Sequence, residues 1–322
     1  MSNMFEDIPI ITDFTKVLND NNERENLPLR FIWNVENNLT ETVWWPSSNN
    51  NSNSNSDNDE KIVFFMITGN PGLINYYTEF LSTIHNERNK NIDIIGVSNL
   101  GHFHGPHNSK LEGLYSLQDQ INHKIQCFDK LHEKFSNNGK NNSKVKFVLC
   151  GHSIGAHICS QVLKTRPNSN IEHVYALFPT LQHIQKTPNG TMLSFLFAEN
   201  TRNLASSFVH SLRCILHPQI LRYVVKLFTF QSDPHLSITT NQLLHGHVVK
   251  NSLYMANSEM EIVKDLEEEL FKQHLNKFVF YFADGDNWAP LAHYHDMVRR
   301  FPDAKIHLCD LKLPHAFVIG IC

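Results

Sequence analysis

The chain has 322 residues, 41% of them hydrophobic, and a formal net charge of −4. It therefore holds enough apolar material for a substantial core, and its charge gives no electrostatic case for nucleic acid as a partner. Met1 to Asp13 lacks a basic stretch followed by an apolar core, so no secretory signal is expected, and no apolar run reaches the ~20 residues that span a bilayer.

Residues 1–28 read as an N-terminal extension. Leu29–Trp33 and Glu41–Trp45 then have the pattern of two antiparallel strands forming an edge element. The Asn/Ser-rich stretch 47–60 is low in complexity and polar, and reads as a disordered surface loop. A second polar insertion, 136–143, precedes a later strand.

Beyond the first loop, strand and helix alternate. Strands are predicted at Ile62–Ile67, Ile92–Val97, Val145–Cys150, Ile171–Leu177, Phe278–Phe282 and Lys305–Leu308. Helices are predicted at Asn75–His85, Ser116–Phe135, Gly155–Lys164 and Ala292–Arg300. Short, nearly continuous apolar strands between amphipathic helices argue for an α/β protein with a mostly parallel sheet covered on both faces. The α/β core then comprises residues 29–184 and 276–322. Residues 185–275 interrupt the alternation with a largely helical, apolar-rich segment, read as an inserted cap. Its apolar residues fit either packing on the core or a surface that touches lipid.

Gly151-His152-Ser153-Ile154-Gly155 lies between the strand Val145–Cys150 and the following helix. Strand, G-x-S-x-G, helix is the context of a nucleophile elbow, in which a sharp turn presents the serine above the sheet. Glycines flank it because side chains there would clash with the closely approaching strand and helix. The plain alternative is a Gly/Ser-rich turn without chemistry. On the first reading Ser153 is the nucleophile of a hydrolase or acyl transferase.

A nucleophilic serine needs a base, and the base needs an orienting acid, in the chain order Ser, Asp/Glu, His for this kind of sheet. Asp284 and Asp286 both follow the strand Phe278–Phe282. His315, in Leu313-Pro314-His315-Ala316-Phe317, follows the last strand. The oxyanion hole needs two backbone amides. The residue after the nucleophile, Ile154, supplies one. The loop Thr68-Gly69-Asn70-Pro71-Gly72 supplies the other, with Asn70 the expected donor. His102, His104 and His107 cluster in one loop without a neighbouring carboxylate, and read as an active-site rim rather than a metal site. The six cysteines are scattered without a C-x-x-C pair, which suggests neither zinc nor a redox motif and fits an intracellular compartment. No metal and no cofactor are expected.

Several motifs together resemble the lipid droplet-associated hydrolase family. They are Thr68-Gly69-Asn70-Pro71-Gly72 with Tyr76, Tyr77 and Phe80, then Gly151 to Ala156, Phe178-Pro179-Thr180 and Thr187-Pro188-Asn189-Gly190. Asp286-Asn287-Trp288-Ala289-Pro290 and Pro314-His315-Ala316-Phe317 complete the set. The resemblance spans about residues 29 to 318. It implies an α/β-hydrolase fold and a triad of Ser153, Asp286 and His315, and it favours Asp286 over Asp284. It also implies action on lipid esters, sterol esters being one proposal, at the cytosolic side of lipid droplets and the endoplasmic reticulum. The expected partner is then a lipid surface, bound peripherally. The rival readings are a droplet-organising protein with little hydrolysis and a cytosolic small-ester esterase or thioesterase.

Overall fold

The computed structural model describes residues 10–11, 28–48, 60–104, 113–137 and 145–319. Most of the N-terminal extension and of the two polar insertions, together with His107 and Cys322, lies outside the described residues.

Among the described residues, nine strands form one sheet in the order β1-β2-β3-β5-β4-β6-β7-β8-β9. They are β1 (Ile10–Ile11), β2 (Leu29–Val35), β3 (Asn38–Trp45), β4 (Lys61–Ile67) and β5 (Asp93–Val97). β6 (Val145–His152), β7 (Ile171–Leu177), β8 (Phe278–Ala283) and β9 (Lys305–Cys309) complete it. β4 to β9 all pair in parallel, while β2 and β3 form an antiparallel hairpin joined to β5. The hairpin turns on Glu36 and Asn37, both at positive φ (47° and 67°), the conformation of a two-residue turn that matches strand twist.

The helices are α1 (Thr78–Glu87), α2 (Leu117–Asn137), α3 (Ile154–Thr165), α4 (Pro188–Phe197) and α5 (Glu199–Ile215). They continue with α6 (Pro218–Thr229), α7 (His235–Ile238), α8 (Gly246–Ile262), α9 (Glu268–His274) and α10 (Leu291–Arg300). The predicted helix over Asn75–His85 divides into a 3₁₀ turn, Ile74–Tyr77, and α1.

Alternation along β4 shows how the sheet is covered. Val63, Phe65 and Ile67 join one core with Leu117, Phe128 and Leu131 of α2 and Ile158 and Val162 of α3. Phe64 and Met66 point the other way, into a second core with Tyr77 and with Leu81 of α1. Each fully buried side chain of this size is worth roughly 1.5–3 kcal/mol. Both faces are thus buried, which explains why the strands read as nearly continuous apolar runs.

α4 to α9 all lie between β7 and β8 in the chain. Met255 and Met260 of α8 belong to the main core, whereas Leu221 and Val225 of α6 form a small separate cluster with Leu236. α8 therefore seats the cap, and α5 and α6 present much of its outer surface. Thr187-Pro188-Asn189-Gly190 starts α4: the Gly190 amide donates to Thr187 Oγ1 at 3.1 Å, with Pro188 in the first turn.

Candidate active site

β6 extends two residues beyond Cys150. Gly151 and His152 still pair with Ala176 and Leu177 of β7, so the ladder runs up to the serine itself. Ser153 then adopts φ 55° and ψ −122°, which few residues other than glycine occupy. The Ser153 amide donates to the Leu177 carbonyl at 2.9 Å, and its own carbonyl accepts from Ala156 N at 3.0 Å. Strand and helix approach so closely that a Cβ on Gly151 would lie 2.3 Å from the Gly155 carbonyl oxygen. One on Gly155 would lie 2.4 Å from that of Ile67.

His315 Nε2 lies 2.8 Å from Ser153 Oγ, and His315 Nδ1 lies 2.6 Å from Asp286 Oδ2. A carboxylate only accepts, so Nδ1 carries the proton and Nε2 is left to accept from the serine hydroxyl. The other Asp286 oxygen accepts from the amides of Trp288 (2.7 Å) and Ala289 (2.9 Å). Burial works against the Asp286 charge, but the imidazole and these two amides outweigh it and hold the carboxyl below its ordinary range. Asp284, the other candidate, is exposed.

Of the two expected oxyanion donors, the Ile154 amide opens α3, where the first amides have no partner within the helix. The loop that carries Asn70 is braced from three sides. The Gly69 carbonyl accepts from Asn99 Nδ2 (2.9 Å), and the Gly72 amide donates to His102 Nδ1 (2.8 Å). The Asn70 side chain reaches into the cap, donating to the Ser252 carbonyl (3.0 Å) and to Glu259 Oε1 (2.8 Å). Burial, only partly offset by that hydrogen bond, raises the Glu259 carboxyl to about 8.

Two functional neighbours escaped sequence reasoning. His152 Nε2 lies 2.8 Å from the His315 carbonyl oxygen, and His152 Nδ1 lies 2.7 Å from the Tyr77 hydroxyl. The carbonyl fixes the proton on Nε2, so Nδ1 accepts from Tyr77 O–H. Tyr77 in turn accepts from the Gly69 amide at 3.0 Å. This chain of bonds runs from the oxyanion loop to the backbone of the candidate base. Burial lowers the His152 pKa to about 3, so the ring is neutral and the relay keeps one polarity. The signal was present in the variable position before Ser153 and in the Tyr76-Tyr77 pair, but neither residue type announces a partner. Phe317 anchors the same loop, lying 5.3 Å from the rings of both His152 and Phe178.

Of the rim histidines, His102 is fully buried in the bracing role above, and His104 turns toward the cap to stack on His245 at 3.9 Å. Ser153 is only 8% exposed, so the site lies under cover.

A sequence profile of the family described as lipid-droplet associated hydrolase matches residues 60–318. The lipid droplet-associated hydrolase of Rattus norvegicus is 30% identical over 275 residues, which is 81% of each chain. That of Dictyostelium discoideum is 29% identical over 265 residues, 80% of this chain and 83% of its own. Among solved structures, a deformylase of N-formylmaleamic acid from Pseudomonas putida aligns at TM-score 0.57 and 12% identity, covering 89% of this chain and 94% of that one. A monoglyceride lipase from Saccharomyces cerevisiae aligns at TM-score 0.52 and 10% identity, covering 88% and 85%. At these identities the structural likeness speaks to the fold alone, which is that of the α/β hydrolases.

Proposed function

Because this chain belongs to the lipid-droplet associated hydrolase family, we propose that it is a serine hydrolase of lipid esters acting through Ser153, His315 and Asp286. The observation that carries this reading is the unbroken hydrogen-bond series from Ser153 Oγ through the His315 ring to Asp286, at 2.8 and 2.6 Å. Ser153 Oγ attacks the ester carbonyl while His315 Nε2 takes its proton. The amides of Asn70 and Ile154 stabilise the tetrahedral oxyanion; losing one such donor costs about 2.7–4 kcal/mol in the transition state. His315 returns the proton to the departing alcohol, leaving an acyl-Ser153. Water, deprotonated by the same nitrogen, then releases the acid. Asp286 holds the ring tautomer and stabilises the imidazolium.

A substrate held at a lipid surface is favoured by the outer surface of the cap, and lipid esters, with sterol esters among them, are the class that the family resemblance implies. Ten of the fourteen exposed large hydrophobic residues among the described residues lie between Met192 and Phe230. Leu204, Phe208 and Ile215 of α5 and Tyr223, Leu227 and Phe228 of α6 are each more than half exposed. An apolar area of that extent marks an interaction surface. No helix among the described residues is long and apolar enough to cross a membrane. The apolar outer surface and the droplet association in the family's name support a peripheral place for the chain, which we put at the cytosolic surface of droplets and of the endoplasmic reticulum.

Reaction with a fluorophosphonate probe tests the nucleophile. Wild type should label and Ser153→Ala should not; equal labelling sinks the assignment. The same apolar surface favours a second reading, a droplet organiser with little hydrolysis. Imaging in oleate-fed cells separates them, because an organiser retains its droplet phenotype as Ser153→Ala. Absence of droplet enrichment would point instead to a small-ester esterase or thioesterase.

A further inference from the structure

Three histidines, His104 and the near neighbours His245 and His247 far along the chain from it, meet where the cap touches the loop after β5. His104 belongs to that loop, His245 is the residue capping the start of α8, and His247 lies in its first turn. Each can offer one ring nitrogen within 4.8 Å of the other two. The rings of His104 and His247 are 5.5 Å apart, and those of His104 and His245 stack.

Hydrogen bonds set the tautomer of two of the rings. His245 Nε2 lies 3.0 Å from the Asn241 carbonyl oxygen, and His247 Nε2 lies 3.1 Å from that of Phe103. A carbonyl only accepts, so both Nε2 atoms carry protons and both Nδ1 atoms keep a lone pair. One nitrogen held by a carbonyl and the other left basic is the arrangement that orients metal-binding histidines. The three rings border a cavity of about 640 Å³, whose wall also holds His210 and Cys214. Those two lie 3.7 Å apart on α5 and add further donors to the same space. Arg213 shares the wall, but its guanidinium is engaged with the Thr240 carbonyl at 2.7 Å.

We propose that His104, His245 and His247 form a binding site for one divalent transition-metal ion, with zinc as the probe. Nitrogen donors select such ions over magnesium and calcium, which take oxygen. A tetrahedral ion at a Zn–N length of ~2.0 Å sets its ligand nitrogens about 3.3 Å apart, so nitrogens now within 4.8 Å of one another close by at most about 1.5 Å on binding. The bound ion clamps the loop after β5 to the head of α8. The site shares no residue with Ser153, His315 or Asp286, and stands or falls independently of the proposed hydrolysis.

The test titrates Zn²⁺ into the metal-free full-length protein against a chromophoric chelator. It runs beside His104→Gln, His245→Gln and His247→Gln, with His295→Asn as a control for the many other histidines. Wild type and control should each bind one equivalent. Each of the three site variants should bind at least about 10-fold more weakly, since even outer-shell changes cost 10–100-fold. Zinc binding equally by all five proteins, or by none, overturns the proposal. Should a site variant fail to fold, X-ray absorption on zinc-loaded wild type decides alone. Three imidazole nitrogens around the ion support the site, and fewer than three overturn it.

Discussion

Asp286→Asn preserves the shape of the acid while reversing the hydrogen-bond logic around it. Asp286 Oδ1 accepts from two backbone amides, at 2.7 and 2.9 Å, and Oδ2 accepts from His315 Nδ1 at 2.6 Å. Amides can only donate, so an asparagine must turn its carbonyl oxygen toward Trp288 and Ala289. Its NH₂ group then faces Nδ1, which is itself a donor. The conflict is relieved by moving the imidazole proton to Nε2, the nitrogen facing Ser153 Oγ. A protonated Nε2 cannot accept the serine proton. Forcing the wrong tautomer in a Ser-His-Asp triad costs about 10⁴ in kcat, or about 5.4 kcal/mol at 1.36 kcal/mol per decade. The assay is the rate of fluorophosphonate labelling together with turnover of a chromogenic short-chain ester. Asp284→Asn, at the exposed neighbouring acid, serves as the control and should leave both rates unchanged. If Asp286→Asn labels within tenfold of wild type, the reasoning from the two amides is refuted.

Tyr77→Phe strips the Gly69 amide of its acceptor and His152 Nδ1 of its donor. Each buried orphan costs about 1–3 kcal/mol, so urea denaturation should show a clear loss and labelling should slow; unchanged stability would contradict the relay. Glu259 titrates at about 8 in the folded protein against an ordinary 4.5. Its contribution is therefore complete below about pH 4.5 and is lost as pH rises toward 8, with a slope approaching 1.36 kcal/mol per pH unit. Glu259→Gln should flatten that part of the stability–pH profile, and parallel profiles for the two proteins would rule the assignment out. Gly155→Ala puts a methyl group 2.4 Å from the Ile67 carbonyl oxygen and 2.7 Å from that of Thr68. Neither backbone atom can yield, so soluble yield and Tm should fall sharply; a Tm close to wild type would mean the elbow is looser than drawn.

The parallel strands were legible because burial on both faces leaves a continuous apolar signature bounded by turns. The candidate site was legible where its residues sit at strand ends, as with Ser153, Asp286 and His315, which the structure brings within hydrogen-bonding distance. The hairpin turn was harder to see, because Glu36 and Asn37 occupy positive φ without a glycine to announce it. His152 looked like a filler position in G-x-S-x-G, since its partners Tyr77 and the His315 carbonyl are 75 and 163 residues away. The grouping of His104 with His245 and His247 was invisible for the same reason. Spacing rules register neighbours on one element, and these residues converge only after the cap folds back over the sheet.

The Asn70 side chain, held by Ser252 and Glu259, makes an interlock of two parts that many enzymes keep separate. The loop expected to supply an oxyanion amide is fastened to α8, whose Met255 and Met260 lie in the main core. Under the proposed function, the position of that amide is therefore set by the anchored part of the cap and not by its apolar outer helices.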